Sequence, residues 1–207
     1  ADHLKKPMIL ICNHVDEEKS DFDNTIEQAK ERFGRKVTVV QYPYNQGVDF
    51  NAIIDVHTMV MYQFGADGGK PEKLPIPESE MAKAQQLHNE LIEAIAENDE
   101  GLMEKFFEKG TLEEDEMVKG MMLSIRHHEL FPVFVASAKH NMGSGRIMGF
   151  IDKCCPSAAH MKPEKLTNGQ DLPCNTSNPT IAFVFKTVSE PHLGDMSFFK
   201  VCSGKVT

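Results

Sequence analysis

The chain has 207 residues, with 31 acidic and 22 basic side chains and a formal charge of −9. Its 41% hydrophobic and 26% charged content excludes a disordered, collagen-like or coiled-coil chain. The longest apolar runs are too short to span a bilayer, and an acidic chain should repel phosphate backbones, so neither a membrane nor DNA is an expected partner.

Pro7-Met8-Ile9-Leu10-Ile11-Cys12 is apolar throughout, which predicts a strand buried on both faces, as in a parallel sheet. The spacing of Phe22, Ile26, Ala29 and Phe33 predicts a helix over 20–33, ended by Gly34. Val37 to Tyr44 is β-branched and aromatic and predicts one strand; Phe50 to Phe64 predicts one or two more. Gly65 to Gly69 predicts a hairpin turn. It is not a phosphate-binding loop, because the spacing to Gly69-Lys70 is one residue short and Pro71 stands where Ser or Thr is needed.

Ala84, Leu87, Leu91, Ile92 and Ile95 recur at helical spacing. A shorter helix through Leu102, Met103, Phe106 and Phe107 should close at Gly110. Thr111 and Glu114 have capping-box spacing before a third helix through Met117, Met121 and Ile125. His127-His128 reads as a solvated helix end, since adjacent helical residues face different ways and make a poor metal pair. Pro132 to Val135 predicts a second buried strand, and Gly145 to Cys155 a helix with Ile147, Phe150 and Ile151 inward. Pro156 to Pro179 reads as a linker, and Thr180 onward as a new β unit with Ile181, Phe183 and Phe185 inward.

The five cysteines are odd in number and form no CxxC pair, so neither a disulfide framework nor a thiolate zinc site is expected. No metal site and no catalytic residue is expected. No charged-then-apolar leader is seen, which suits a reducing, cytoplasmic setting. Both ends fall near or inside strand-like sequence, as expected of an internal piece of a longer protein.

The chemical signal lies in two loops, each following a buried strand, where open α/β sheets bind ligands. The first is Asn13-His14-Val15-Asp16. An ionised Asp accepts two side-by-side N–H donors, which guanine presents at N1 and N2 and adenine does not. The second is Ser137-Ala138-Lys139, whose backbone N–H groups can donate to guanine O6. The candidate guanine-binding residues are therefore Asn13, His14, Asp16, Ser137, Ala138 and Lys139.

These loops resemble the two guanine loops of translation elongation factor G. Asn13-His14-Val15-Asp16 is similar to that family's N-K-x-D, and Ser137-Ala138-Lys139-His140-Asn141-Met142-Gly143 to its S-A-F-K-N-K-G. Leu102 to Glu108 resembles its L-M-E-K-Y-F/L-E helix. Glu190-Pro191-His192-Leu193-Gly194 and Phe198-Phe199-Lys200-Val201-Cys202-Ser203-Gly204 resemble segments of its second domain. The resemblance covers nearly the whole chain.

The resemblance implies an α/β fold: an incomplete parallel sheet of the P-loop GTPase type, an inserted α+β subdomain (G′), then the first strands of a β-barrel domain. The implied boundaries are GTPase domain 1–36, G′ insert 37–125, GTPase domain continued 126–158, linker 159–179 and barrel start 180–207. The implied function is a ribosome-associated GTPase promoting translocation, with GTP or GDP as nucleotide and Mg2+ only in the full-length protein. The phosphate loop and switch regions would lie upstream, so this piece alone should not hydrolyse GTP. The alternatives are a non-hydrolysing or weakly GTP-binding paralogue that binds the ribosome, and a related GTPase such as a release factor or a ribosomal protection protein.

The family's Lys is His14 here, Ala136 stands for its Gly, and Lys139 for its Phe or Leu, which implies weakened nucleotide affinity. The implied partners are the ribosome and its stalk protein, the latter meeting Glu93, Glu97 and Glu104 on the acidic helices. Residues 78–116 hold 13 acids and 3 bases, a charge of −10 that leaves +1 for the rest. The acidity is thus a property of one segment.

Overall fold

A computed structural model describes residues 2–160 and 162–206. The chain divides into two compact units, Ala1–Cys155 and Pro156–Thr207. Among the described residues, no helix is long and apolar enough to cross a membrane.

The first unit is built on a three-stranded parallel sheet with the order β1–β7–β2. β7 (Phe131–Val135) is central and buried at every position, as its apolar run requires. β1 (Leu10–Cys12) pairs with it from Leu10↔Val133 to Cys12↔Val135. β1 is not buried on both faces as its sequence predicts: it lies at one side of the sheet, and Ile11 is 47% exposed. α1 (Phe22–Phe33) connects β1 to β2 (Val37–Val39). Asp21 caps α1 by accepting from the Asn24 N–H, and Gly34 ends it.

The single strand predicted over 37–44 divides between two sheets. β2 lies parallel to β7, while β3 (Gln41–Pro43) starts an antiparallel sheet in the order β3–β4–β5–β6. The remaining strands are β4 (Ala52–Asp55), β5 (Val60–Gln63) and β6 (Glu72–Leu74). Val40 is the switch: its N–H donates to the Val133 carbonyl on the parallel side, and its own carbonyl accepts from the Val56 N–H (both 3.0 Å). Val37–Val39 therefore belongs with the parallel sheet, and the stretch outside that sheet starts after Val40.

Three helices follow: α2 (Glu78–Ala96), α3 (Glu100–Lys109) and α4 (Glu114–Arg126). α2 buries Ala84, Leu91, Ile92 and Ile95, one stripe at helical spacing. Asp99 caps α3, and Gly110 ends it with φ +71°. The capping box of α4 is Glu113 with Glu116, not Thr111 with Glu114: Glu113 accepts from the N3 backbone, and Glu116 accepts from the Glu113 N–H. Gly120 lets α4 approach its neighbours, because a Cβ there would lie 2.2 Å from Ile95 Cγ2 and 2.8 Å from Leu102 Cδ1. α5 (Ser144–Cys154) closes the unit, with Ile147 and Phe150 inward and the Phe150 ring centroid 4.5 Å from that of Phe134.

His128 is buried, not solvated. Its ring meets the Phe131 edge at 4.6 Å, its Nδ1 lies 2.9 Å from the Lys6 carbonyl, and Lys36 donates to its backbone carbonyl.

The second unit contains a two-residue ladder, β8 (Glu164–Lys165) with β9 (Asp171–Leu172), inside the stretch expected as linker. A long antiparallel hairpin follows, β10 (Ile181–Glu190) with β11 (Gly194–Ser203). Ile181, Phe183 and Phe185 are exposed, not inward.

Candidate functional site

Parallel pairing of β1 with β7 sets their carboxyl ends side by side, and the ladder runs one bond further, from the Ala136 N–H to the Cys12 carbonyl (3.0 Å). The loops that follow, 13–16 and 137–142, therefore face each other at the usual ligand-binding end of an open sheet. Asn13 joins them: its Oδ1 accepts from the Ala138 N–H at 3.0 Å. This N–H, expected to face guanine O6, is thus engaged by Asn13. Among the described residues, no hydrogen bond uses the Lys139 N–H.

The first loop is anchored by Val15, which is buried and whose carbonyl accepts from the Gly47 N–H (2.8 Å) and the Ser20 hydroxyl (3.0 Å). His14 is exposed and takes a left-handed backbone conformation, φ +64°. The second loop closes on itself. Ser137 and Met142 exchange two backbone hydrogen bonds of 3.0 Å, and the Asn141 N–H donates to the Ala138 carbonyl.

Asp16 sits between the two loops with its side chain 8% exposed. Burial pushes its carboxyl pKa up, but the Ser137 hydroxyl, a backbone N–H, and the nearby His140 and Lys139 outweigh burial, so the group lies below the usual carboxylate value. His140 Nε2 is 3.5 Å from Asp16 Oδ2. Asp16 Oδ1 is buried and accepts no hydrogen bond among the described residues. A buried carboxylate oxygen without a donor is costly unless a ligand supplies one.

All six predicted base-site residues thus lie on the two adjoining loops. Ser137 is fully buried and its hydroxyl acts on the Asp16 carboxyl, whereas Asn13, His14, Ala138 and Lys139 are exposed. His140 escapes a sequence reading because its relevance depends on the fold of the second loop; its place within a resembling segment was the available signal.

The acidic candidates lie elsewhere. Glu93 and Glu97 line a groove of about 460 Å³ with Lys30, Arg35, Thr38 and Glu90, and Glu97 pairs with Arg35 at 3.2 Å. Glu104 is exposed on α3. The cysteines are free, and burial pushes the Cys12 thiol up to about 11 and the Cys154 thiol up to about 12, so both stay protonated at neutral pH.

No family model matches the chain. It is 28% identical over 208 residues to an elongation factor G-like protein of Thermotoga maritima, covering 99% of this chain and 30% of that protein. It is also 28% identical over 211 residues to elongation factor G of Mycoplasma genitalium, with the same coverage. The chain is similar in sequence to elongation factor G along nearly its whole length. It spans about 30% of the length of these curated relatives. A crystal structure of a protein from Thermus thermophilus superposes with a TM-score of 0.79 and 24% identity, over 99% of this chain and 28% of that one, which establishes the shared fold. The mixed α/β architecture, a parallel sheet with added antiparallel sheets, is thus that of a solved protein. The matched length, 99% of this chain, takes in both loops of the candidate site.

Proposed function

We propose that this chain is the guanine-reading part of a translational GTPase that acts on the ribosome in elongation and promotes translocation of tRNA and mRNA. The observation that carries the reading is the buried Oδ1 of Asp16, which accepts no hydrogen bond among the described residues. Guanine N1–H and N2–H would donate to the two Asp16 oxygens, and the Lys139 N–H to O6. Adenine presents an acceptor at N1 and would leave Asp16 unsatisfied. The low carboxyl pKa keeps Asp16 ionised, as this recognition needs.

GTP or GDP is the nucleotide, and hydrolysis with Mg2+ belongs to the intact protein rather than to these residues alone. The stretch from β3 through α4, outside the parallel sheet, is the inserted subdomain, and β10 with β11 begins the next domain. The acidic helices α2 to α4 dock the ribosomal stalk through Glu93, Glu97 and Glu104; their concentration of charge supports a basic partner. The Arg35 partner of Glu97 would have to be exchanged for a stalk residue on docking. The setting is cytoplasmic.

A second reading, a paralogue that binds nucleotide weakly, draws on His14. A Lys stem can pack along a base face, whereas this exposed imidazole is shorter and reaches less of it.

The test is titration of GDP and XDP into the intact protein that carries this chain. Xanthine replaces the N2 donor with an oxygen, so Asp16→Asn should weaken GDP and favour XDP. Unchanged preference in Asp16→Asn overturns the guanine reading. His14→Lys should raise GDP affinity if the second reading holds, and unchanged affinity removes it.

A further inference from the structure

The turn between β5 and β6 is no phosphate cradle, yet it reaches the candidate base site. The Gly69 N–H donates to the Asn141 carbonyl at 3.0 Å. Gly68 lies against the same loop so closely that a Cβ there would stand 1.8 Å from the His140 carbonyl oxygen and 3.0 Å from that of Asn141. Its φ is +67°, a conformation that also favours glycine. No side chain can occupy this position unless residues 140–141 move.

The same antiparallel sheet holds the element after the loop. The Arg146 guanidinium on α5 donates to Tyr62 Oη at 2.9 Å and lies 4.7 Å from the Tyr62 ring centroid. Inside the loop, Asn141 adopts φ +51°, and its Oδ1 accepts from the Ser144 hydroxyl at 2.7 Å. The loop is therefore tied at its neck by Ser137 and Met142 and supported at its tip by a turn from the other sheet. Any displacement of His140 also shifts the ring beside Asp16.

We propose that the Gly68-Gly69 turn is the positioning element of the base-reading loop, so that the antiparallel sheet and the base site share one mechanical state. This deepens, and rests on, the guanine-binding reading. The turn fixes where the Lys139 N–H group points, and hence how well O6 is recognised. Coupling of this kind is reciprocal: what shifts the turn alters nucleotide affinity, and nucleotide alters the turn.

The test compares GDP with 6-thio-GDP, which carries sulfur, a weaker acceptor, in place of O6. Both are titrated into the intact protein, into Gly68→Ala, and into Gly65→Ala, whose added Cβ would meet nothing within 4 Å. Wild type and Gly65→Ala should bind alike and prefer GDP. Gly68→Ala should lose about tenfold in GDP affinity and most of its preference for GDP over the thio analogue. An unchanged affinity and preference in Gly68→Ala overturns the proposal. If wild type itself binds no GDP, the guanine reading fails, and amide hydrogen exchange of residues 137–142 decides the mechanical part. Faster exchange there in Gly68→Ala, with β7 unchanged, supports the brace, and unchanged exchange overturns it. Should Gly68→Ala not fold, Gly69→Ala carries the same comparison, since it strains the turn through φ +80° with no clash.

Discussion

β7 and β10 begin from nearly the same kind of sequence and meet opposite fates. Phe131 to Val135 and Ile181 to Phe185 are both short apolar runs rich in Phe and Val. Phe134 is 1% exposed and Phe185 61%. β7 has a parallel neighbour on each side, and its Phe134 packs against α5. β10 pairs only with β11 among the described residues. An apolar run states that a strand needs cover; the topology around it decides whether cover arrives. Hydrophobic free energy follows the area removed from water, so the two strands contribute very differently to stability.

Truncation is the direct way to break this comparison. Phe134→Ala should cost about 3–5 kcal/mol, since it removes a buried ring and leaves a cavity. Denaturant titration of the chain measures it, and a loss below about 1 kcal/mol would mean that β7 is not the centre of the core. Gly120→Ala comes next. Its Cβ would enter the space of Ile95, and overpacking of this kind costs about 1–3 kcal/mol. A thermal midpoint equal to wild type would show that the α4 contact relaxes freely.

Asp16 offers a smaller effect with a pH signature, at the loop that β1 feeds. Its carboxyl pKa is lowered in the folded chain, so the unfolded chain binds the proton more tightly. The stability this supplies is present above the usual carboxylate range and is lost as pH falls through the lowered value. The stability difference between wild type and Asp16→Asn should therefore shrink below about pH 4; a difference constant from pH 7 to pH 2 contradicts it. Phe185→Ser should do least, within about 0.5 kcal/mol, as surface substitutions do. A loss comparable to that of Phe134→Ala would show that β10 is covered in solution and would erase the contrast.

Much of the first unit was legible because local signals and burial agree there. The stripe of α2, the cap at Gly110 and the burial of β7 follow from spacing and composition. The two loops were legible as well, because each follows an apolar strand. What was not legible depends on contacts distant in sequence. Nothing in Val37 to Tyr44 marks Val40 as the point where the chain leaves one sheet for another. His128 reads as a surface residue until Phe131 and Lys6 close around it. The capping box moved by two residues because several acids crowd the start of α4, and any of them could cap it. The engagement of the Ala138 N–H by Asn13 spans 125 residues and has no local trace.

The switch at Val40 has a consequence for folding. One peptide segment serves both sheets, its N–H in one ladder and its carbonyl in the other. No hinge of free residues separates β2 from β3, so a displacement of Val40 disturbs a hydrogen bond in each sheet. The first unit should then lose its structure in one cooperative step, with the slowest-exchanging amides of both sheets sharing a single opening free energy.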